Sequence, residues 1–307
     1  MMREFAWEKR GLVYAADIRG FTHGSHPCVQ HIHGDDFVVA FSCRDASRRS
    51  HIFLSKATAN EGTFKLVGEP KLALAPGPLG HFDADGVLSS QFLTWRGNDY
   101  LYYGGWENMV SVPYTANTGR LLFDRDDMTV QREFSSPVLA RNPASPIFSG
   151  APCFVKRGDE LWAWYTSAIR WELGRERPKH YYSIRRAVSR DGVDWVSDSE
   201  LAIPFADDYE YAVARSSIIE LDGIDYIWFC HRATRDIPTY RIGLAWSTDL
   251  LQWTRDDSRS GIDVSLSGWD SEMICYPQLF EHGGWLYMLY NGNGYGRTGF
   301  GCASFRL

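Results

Sequence analysis

A sequence unit recurs five times along the 307-residue chain, and no other feature constrains the fold as strongly. Its clearest copies are Ala187–Trp195 and Ala245–Trp253, which share the spacing A-x-S-x-D-x-x-x-W. Degraded copies lie near Gly119 and Ile52, and the fifth copy stops early, at Gly299–Ser304. A repeat of this kind indicates that one small structural unit is built several times and stacked on itself.

Each copy is preceded by an aromatic segment with the character of a β-strand. These segments are Phe37–Phe41, Tyr100–Tyr103, Leu161–Tyr165, Tyr226–Phe229 and Trp285–Tyr290. Another short strand comes before each aromatic segment. One residue marks its position in each unit, and these marks are separated by 63, 62, 64 and 61 residues: Pro27, Ser90, Pro152, Ser216 and Pro277. Polar, glycine-containing turns separate the strands. Each unit therefore predicts four antiparallel strands, and the chain is predicted to be an all-β, five-bladed β-propeller.

The last unit ends at Leu307 before its A-x-S-x-D-x-x-x-W segment is complete. A segment near the N-terminus matches the missing part. Phe5–Lys9 resembles Leu251–Arg255, which belongs to a complete unit. We therefore expect the N-terminal strand to complete the last blade, because this closure removes an exposed sheet edge. Residues 1–307 are accordingly predicted to form a single domain.

Composition narrows the possible classes of protein. The chain is 44% hydrophobic and 15% aromatic, which supports a large core and argues against disorder. Its formal net charge is −6 and it has no long Lys/Arg run, so nucleic acid is an unexpected partner. It shows neither a signal-peptide pattern nor a membrane-spanning stretch, and we expect no membrane partner and a cytoplasmic location. Six dispersed cysteines are predicted to be small buried hydrophobes in a reducing compartment: Cys28, Cys43, Cys153, Cys230, Cys275 and Cys302.

Polar residues recur at two matched levels of the predicted blades. The first strands and the segments that lead into them contribute His26, Asp83, Asp85, Glu210, Arg215 and Glu272. The ends of the second strands contribute Arg44, Trp106, Arg170, Trp171, Arg232 and Asn291. Because isolated charges are costly to bury, their recurrence at matched positions favours a shared, lined funnel. An early histidine cluster has no second cluster beside it, so we predict neither a metal site nor a cofactor.

Each candidate also has a structural interpretation. Asp83 and Asp85 could shape a turn, Arg44 and Arg232 could tie neighbouring blades, and His26 could be a structural histidine. The residues of the repeat itself are predicted to be structural. Asp191 and Asp249 are expected to cap turns, and Trp7, Trp195 and Trp253 are expected to pack between blades.

Five blades, acids near the first strands and aromatic second strands resemble the five-bladed propeller glycosidases. These include the arabinanase/β-xylosidase, invertase-like and mannoside phosphorylase families. The motif Phe82–Gly86 and the A-x-S-x-D-x-x-x-W tails are most similar to uncharacterised propeller proteins of this group, some of them encoded with surface-polysaccharide genes. A related domain occurs in plant glucosamine inositolphosphorylceramide transferases. The resemblance implies a carbohydrate-active protein with a small-molecule or oligosaccharide substrate; it leaves the oligomeric state open.

The chain departs from the catalytic pattern that this resemblance implies. The glycosidases carry a carboxylate on the first strand of each of their first three blades. Here the first position is His26-Pro27 and the third is Ser149–Pro152, so only the second blade keeps an acid, Asp83 or Asp85.

Two hypotheses follow. In the first, the protein is glycoside hydrolase-like, with acid–base chemistry supplied by Asp85, Glu210, Glu272 and His26 and sugar stacking supplied by Trp106, Trp171 and Tyr181. Such hydrolysis needs two opposed carboxylates roughly 5–9.5 Å apart. In the second, the protein is a binding module or a non-hydrolytic enzyme, and Arg44, Arg170, Arg215 and Arg232 clamp an anionic group. Asp83 and Asn291 are further substrate-contact candidates. A protein-interaction platform ranks third, because it needs no polar funnel.

Overall fold

The computed structural model describes residues 3–174, 178–233, 237 and 239–307. Strands dominate this part of the chain, with a 3₁₀ turn at Asp257–Arg259 and a short helical turn at Asn293–Gly296. The strands are β1 Glu8–Tyr14, β2 Thr22–His33, β3 Asp36–Arg44, β4 Ser50–Asn60, β5 Thr63–Leu66, β6 Lys71–Leu74, β7 Gly86–Trp95, β8 Asn98–Asn108, β9 Tyr114–Asp124, β10 Thr129–Arg132, β11 Ser149–Arg157, β12 Glu160–Glu172, β13 Lys179–Ser189, β14 Val196–Ile203, β15 Ala212–Leu221, β16 Ile224–Arg232, β17 Arg241–Ser247, β18 Thr254–Arg255, β19 Cys275–His282, β20 Trp285–Asn291 and β21 Phe300–Arg306. No helix in the described ranges is long and apolar enough to span a membrane.

Antiparallel pairing joins strands that follow each other in the chain. β2, β3 and β4 pair in order, and β5 and β6 both pair with β4. The runs β7 to β10, β11 to β14 and β15 to β18 each form one antiparallel series. Short parallel bridges link β4 to β7 and β13 to β15. Local pairing of this kind follows from the short turns that the sequence places between the strands.

The first strand joins the sheet of the last three strands rather than pairing with its sequence neighbours. β1 runs antiparallel to β21 through Glu8↔Ser304 and Tyr14↔Phe300, and the order of this sheet is β1-β21-β20-β19. The N-terminal segment therefore completes the last sheet, as expected from the repeat. The strand begins at Glu8 rather than at Phe5, because Phe5 and Trp7 turn into the core against Trp228, with ring centroids 4.7 and 5.7 Å from it.

The serine and aspartate of the repeat cap a turn at the end of the third strand. The Ser247 hydroxyl donates to Asp249 Oδ1 (2.9 Å), and that oxygen accepts the backbone N–H groups of Leu251 and Gln252. Ser189 and Asp191 make the same contacts one unit earlier. These N–H donors hold the pKa of Asp249 below its ordinary value. The predicted structural role of both aspartates is confirmed.

Tryptophans of the repeat directly precede the outermost strands and pack into the core. Trp195 comes before β14, Trp253 before β18 and Trp7 before β1. Trp253 meets Trp164 edge to face with centroids 5.9 Å apart, and Trp195 packs against Phe154 at 5.7 Å. Such aromatic pairs stabilise the contact beyond the area that they bury. All six cysteines are free and buried, as predicted.

Candidate functional site

A register shift interrupts each of the strands β2, β7, β11, β15 and β19 at the same point of the repeat. In a β-bulge, extra residues face one partner residue, and the strand re-aims a side chain. The residues at this point, which we call the bulge positions, are His26, Ser89, Ala151, Arg215 and Tyr276. All except Ser89 have positive φ angles, between 48° and 58°. Non-glycine residues rarely adopt this backbone conformation, and it clusters at functional sites.

All five bulge positions line one cavity, which we call the bulge cavity. Its volume is about 130 Å³, and it is partly open to solvent. Its aromatic wall includes Trp106, Tyr114, Phe148 and Tyr182, and Thr166 adds a hydroxyl. No aspartate or glutamate is among the described residues that line it. This combination of aromatic surface with a few polar groups is typical of a small-molecule site.

His26 lies in the wall of the bulge cavity with one ring nitrogen unused. Its backbone N–H donates to the buried Asn291 side chain (3.1 Å), and its ring stacks on Tyr276 with centroids 4.1 Å apart. The Nδ1 atom is buried without a hydrogen-bond partner. Burial, together with the positive charges of Arg215 and Arg44, holds the pKa of His26 well below its usual range. The imidazole is therefore neutral at physiological pH, and the same effects make it a weak base.

Arg215 is the second polar group of the cavity that the sequence predicted. Its side chain is 2% exposed, and its guanidinium donates to the carbonyl oxygens of Ser89 (2.7 Å), Ser90 (2.9 Å) and Pro27 (3.1 Å). Burial lowers the pKa of this guanidinium. These bonds tie β15 to β7 and β2, and no carboxylate in the described part of the chain pairs with Arg215.

Arg232 lies beside the cavity within a group of aromatic side chains. Its guanidinium donates to the Tyr295 hydroxyl (2.7 Å) and to His180 Nε2 (3.0 Å). It also lies over the rings of Tyr211 and Tyr240 at 4.9 and 4.8 Å. Arg232 therefore contacts aromatic residues of several strands and loops. Among the described residues no carboxylate forms an ion pair with it, so it does not tie two blades in that way.

Glu210 is buried in an ion network away from the bulge cavity. It accepts two hydrogen bonds from Arg255 (both 2.8 Å) and one from His231 Nδ1 (3.1 Å). Arg255 also pairs with Asp257 at 2.7 Å. Burial alone would raise the pKa of Glu210, but the His231 and Arg255 bonds outweigh it and hold the pKa below its ordinary value. The structure thus gives this predicted catalytic acid the environment of a structural ion pair.

The other predicted acids do not line the cavity either. Asp83 is fully buried and bound by Arg132 (2.8 Å) and the Tyr103 hydroxyl (2.9 Å). Asp85 accepts the backbone N–H of Asn108 at 2.7 Å. Glu272 is exposed. The prediction that Asp85, Glu210 and Glu272 surround one pocket therefore finds no support in the lining.

Glu107, near the end of β8, is a further acid in this region. Burial raises its pKa, and the negative charges of Asp85 and Asp83 add to this effect. Glu107 follows the cavity residue Trp106 in the strand but is not among the described residues that line the cavity.

The remaining candidates lie at varied distances from the cavity wall. Arg170 is exposed, pairs with Glu172 (2.7 Å) and covers the Tyr181 ring at 3.8 Å. Trp171 meets the His180 ring edge to face at 5.4 Å. Arg44 is half-buried and acts on the cavity through its charge on His26.

Of the predicted site residues, the structure brings His26, Trp106 and Arg215 together in the cavity wall, with Asn291 directly behind His26. Sequence reasoning missed Ser89 and Tyr276, although the repeat held the signal. Each lies one residue before a mark of the repeat, Ser90 or Pro277, just as His26 lies before Pro27. The true second-unit counterpart of His26 is therefore Ser89, and the expectation that Asp83 or Asp85 fills that place is corrected by the bulge geometry. No group of metal-binding side chains is present among the described residues.

Comparison with solved structures defines the class of fold. A glycoside hydrolase superposes with a TM-score of 0.76 at 15% identity, covering 98% of this chain and 91% of its own. A glycosyl hydrolase from Bacteroides ovatus gives a TM-score of 0.75 at 11% identity, covering 99% and 94%. A structure described under the GH130 family of mannoside phosphorylases gives 0.71 at 13%, covering 99% and 94%. The chain thus has the fold of the glycosidase-like β-propellers, which confirms the resemblance.

No protein-family model matches the chain. It is, however, 34% identical over 303 residues to the uncharacterized proteins MT1551 and Rv1502 of Mycobacterium tuberculosis. The alignment covers 97% of this chain and 98% of each relative. The chain belongs to the family of these mycobacterial proteins.

Proposed function

We propose that the protein is carbohydrate-active and binds a sugar in the bulge cavity. The observation that carries the proposal is the convergence of all five bulge positions on one aromatic-walled cavity. Aromatic rings offer flat apolar faces for the C–H surfaces of a sugar, while nearby hydroxyl and imidazole groups can bond its hydroxyls. The glycosidase-like fold supports this assignment as an analogy of scaffold.

We also infer that the strand groups are five blades of a single-domain propeller. The five matched register shifts and the pairing of β1 with β21 support this inference. In such a ring the bulge cavity is the central funnel, because the first strand of every blade faces the axis.

The lining favours binding or non-hydrolytic chemistry over two-carboxylate hydrolysis. Hydrolysis of a glycoside needs one group to protonate the leaving oxygen and another to activate the attacking nucleophile. Among the described lining residues His26 is the group that can accept a proton, and no carboxylate stands opposite it. The raised pKa of Glu107 supports hydrolysis as a second candidate function, with Asp85 as the second carboxylate.

The test is calorimetric titration of the protein with neutral and charged monosaccharides and with short oligosaccharides. We expect Trp106→Ala to weaken binding of any sugar ligand at least tenfold, about 1.4 kcal/mol, because it removes part of the aromatic wall. Trp162→Ala is the matched control, since Trp162 is half-buried against Arg157 and Arg186 and does not line the cavity.

Binding that Trp106→Ala leaves unchanged would place the site elsewhere and overturn the proposal. Release of free sugar from aryl glycosides, lost in Glu107→Gln and Asp85→Asn, would establish the hydrolytic candidate instead.

A further inference from the structure

Two arginines among the described residues are almost fully buried, and they differ in their partners. Arg120 is 5% exposed and forms a two-bonded ion pair with Glu133, at 2.6 and 3.0 Å. Arg215 is 2% exposed and is bonded only to backbone carbonyl oxygens and, through its own N–H, to the Thr166 hydroxyl. The molecule therefore compensates one buried guanidinium with a carboxylate and leaves the other without one.

The uncompensated arginine is the one that lines the bulge cavity. Removing a cation from water is costly, and carbonyl dipoles return only part of the lost solvation. The same positive charge acts on His26, whose pKa is lowered by burial and by Arg215 and Arg44. No described lining residue is acidic, so Arg215 carries the charge of the lining and neutral groups make up the rest of the wall.

A second cation lies next to this wall. Tyr182 lines the cavity, the His180 ring stacks on it at 4.7 Å, and Arg232 donates to His180 Nε2. The Nε atom of Arg232 is buried and has no hydrogen-bond partner among the described residues. A buried donor without an acceptor is rare and indicates a place where a ligand or water completes the bonding.

We propose that the bulge cavity holds an anionic group of its ligand, a carboxylate or a phosphoryl group carried by a sugar, as the counter-ion of Arg215. The sugar ring lies against the aromatic wall that includes Trp106 and Tyr114, and Arg232 adds long-range attraction from beside Tyr182. The inference rests on the proposed sugar site and names its substrate class. It involves binding alone, so no bond is formed or broken.

The experiment is a titration of the whole protein with four probes at constant ionic strength: D-glucose, D-glucuronate, D-glucose 6-phosphate and inorganic phosphate. We expect at least one charged sugar to bind tenfold or more tightly than D-glucose. Preference for glucuronate identifies a carboxylate ligand, and preference for glucose 6-phosphate identifies a phosphoryl ligand. Raising the salt concentration should weaken the charged sugars and leave D-glucose unaffected.

Variants then assign the preference to Arg215. Arg215→Met keeps much of the side-chain volume without the charge and should reduce the charged sugar to the affinity of D-glucose, while Arg120→Met should keep the preference. If Arg215→Met does not fold, Arg232→Met provides the second variant, with an expected loss of several-fold for the charged sugar alone. A preference that survives in Arg215→Met or, where that variant does not fold, in Arg232→Met contradicts the inference.

The two proposals fail separately. Equal binding of D-glucose and the charged sugars overturns the anion site and leaves the sugar site standing. Binding of inorganic phosphate without any sugar supports the anion site and overturns the sugar site. Absence of binding by all four probes overturns this inference, and absence across the wider sugar panel overturns the proposed function as well.

Discussion

At the scale of single residues, the bulge positions set the chemistry that the cavity can support. The resemblance to the glycosidases implies acids near the first strands, but the five positions hold a histidine, a serine, an alanine, an arginine and a tyrosine: His26, Ser89, Ala151, Arg215 and Tyr276. The register shift at this point of each strand brings all five to the same cavity. A scaffold shared with glycosidases can therefore present a cavity without a carboxylate, which is why fold alone does not assign the reaction.

His26 makes stability depend on pH in a predictable direction. Its pKa is well below 6.5 in the folded protein, whereas the unfolded chain takes up a proton near the ordinary value of 6.5. Below about pH 6.5 the unfolded state therefore binds more protons, and the free energy of unfolding falls as the pH is lowered, by up to about 1.4 kcal/mol per pH unit. Urea denaturation of the wild type and His26→Gln between pH 7 and 5 should show a flatter dependence in the variant.

His23 provides the comparison for this measurement. Burial, together with the charges of Arg44 and Arg297, lowers its pKa to about 4. His23 therefore contributes to the pH dependence of stability in the same range. His23→Gln should flatten the profile as well, and the double variant should be flatter than either single variant. A His26→Gln profile parallel to that of the wild type would show that folding does not lower the pKa of His26.

At the scale of elements, the Glu210 network ties the start of the β15–β18 series to its last strand. Glu210 precedes β15, His231 ends β16, and Arg255 ends β18. The Glu210–Arg255 contact spans 45 residues of sequence. A fully buried carboxylate with three charged or polar donors holds these ends in one arrangement.

Removing Glu210 should therefore cost stability rather than a chemical step. Glu210→Ala removes the buried partner of Arg255 and His231 and leaves them the half-buried Asp257. We expect a loss of roughly 3 kcal/mol in the free energy of unfolding. Glu272→Ala, at an exposed position, should change it by less than about 0.5 kcal/mol. Chemical denaturation measures both. A Glu210→Ala protein as stable as the wild type, with altered ligand turnover, would return this residue to the catalytic hypothesis.

At the scale of the whole molecule, the first strand closes the last sheet and also fills the core. β1 covers the edge of β21, and Phe5 and Trp7 pack into the cluster that contains Trp228 and Ile242. Burying each of these two aromatic side chains contributes about 1.5–3 kcal/mol. An uncovered β21 would present free N–H and C=O groups to other chains.

Deletion of residues 1–14 should consequently lower the melting temperature by many degrees and promote aggregation. Thermal unfolding and light scattering provide the measurements, and a synthetic peptide of residues 1–14 added in trans should restore part of the lost stability. An unchanged melting temperature in the truncated protein would mean that the strand is dispensable for closure.

The amino-acid sequence by itself determined the strands, their turns, the capping role of Asp191 and Asp249, and the contribution of the N-terminal segment to the last sheet. These features rest on short-range rules, namely alternation, turn chemistry and a repeat that places equivalent residues about 62 positions apart. Only the tertiary structure decided which polar residues meet. Arg255 binds Glu210 across 45 residues of sequence, and Arg215 binds carbonyl groups that are 125 to 188 residues away in sequence. Side-chain direction at a bulge changes with a one-residue shift of register, and composition does not encode that shift.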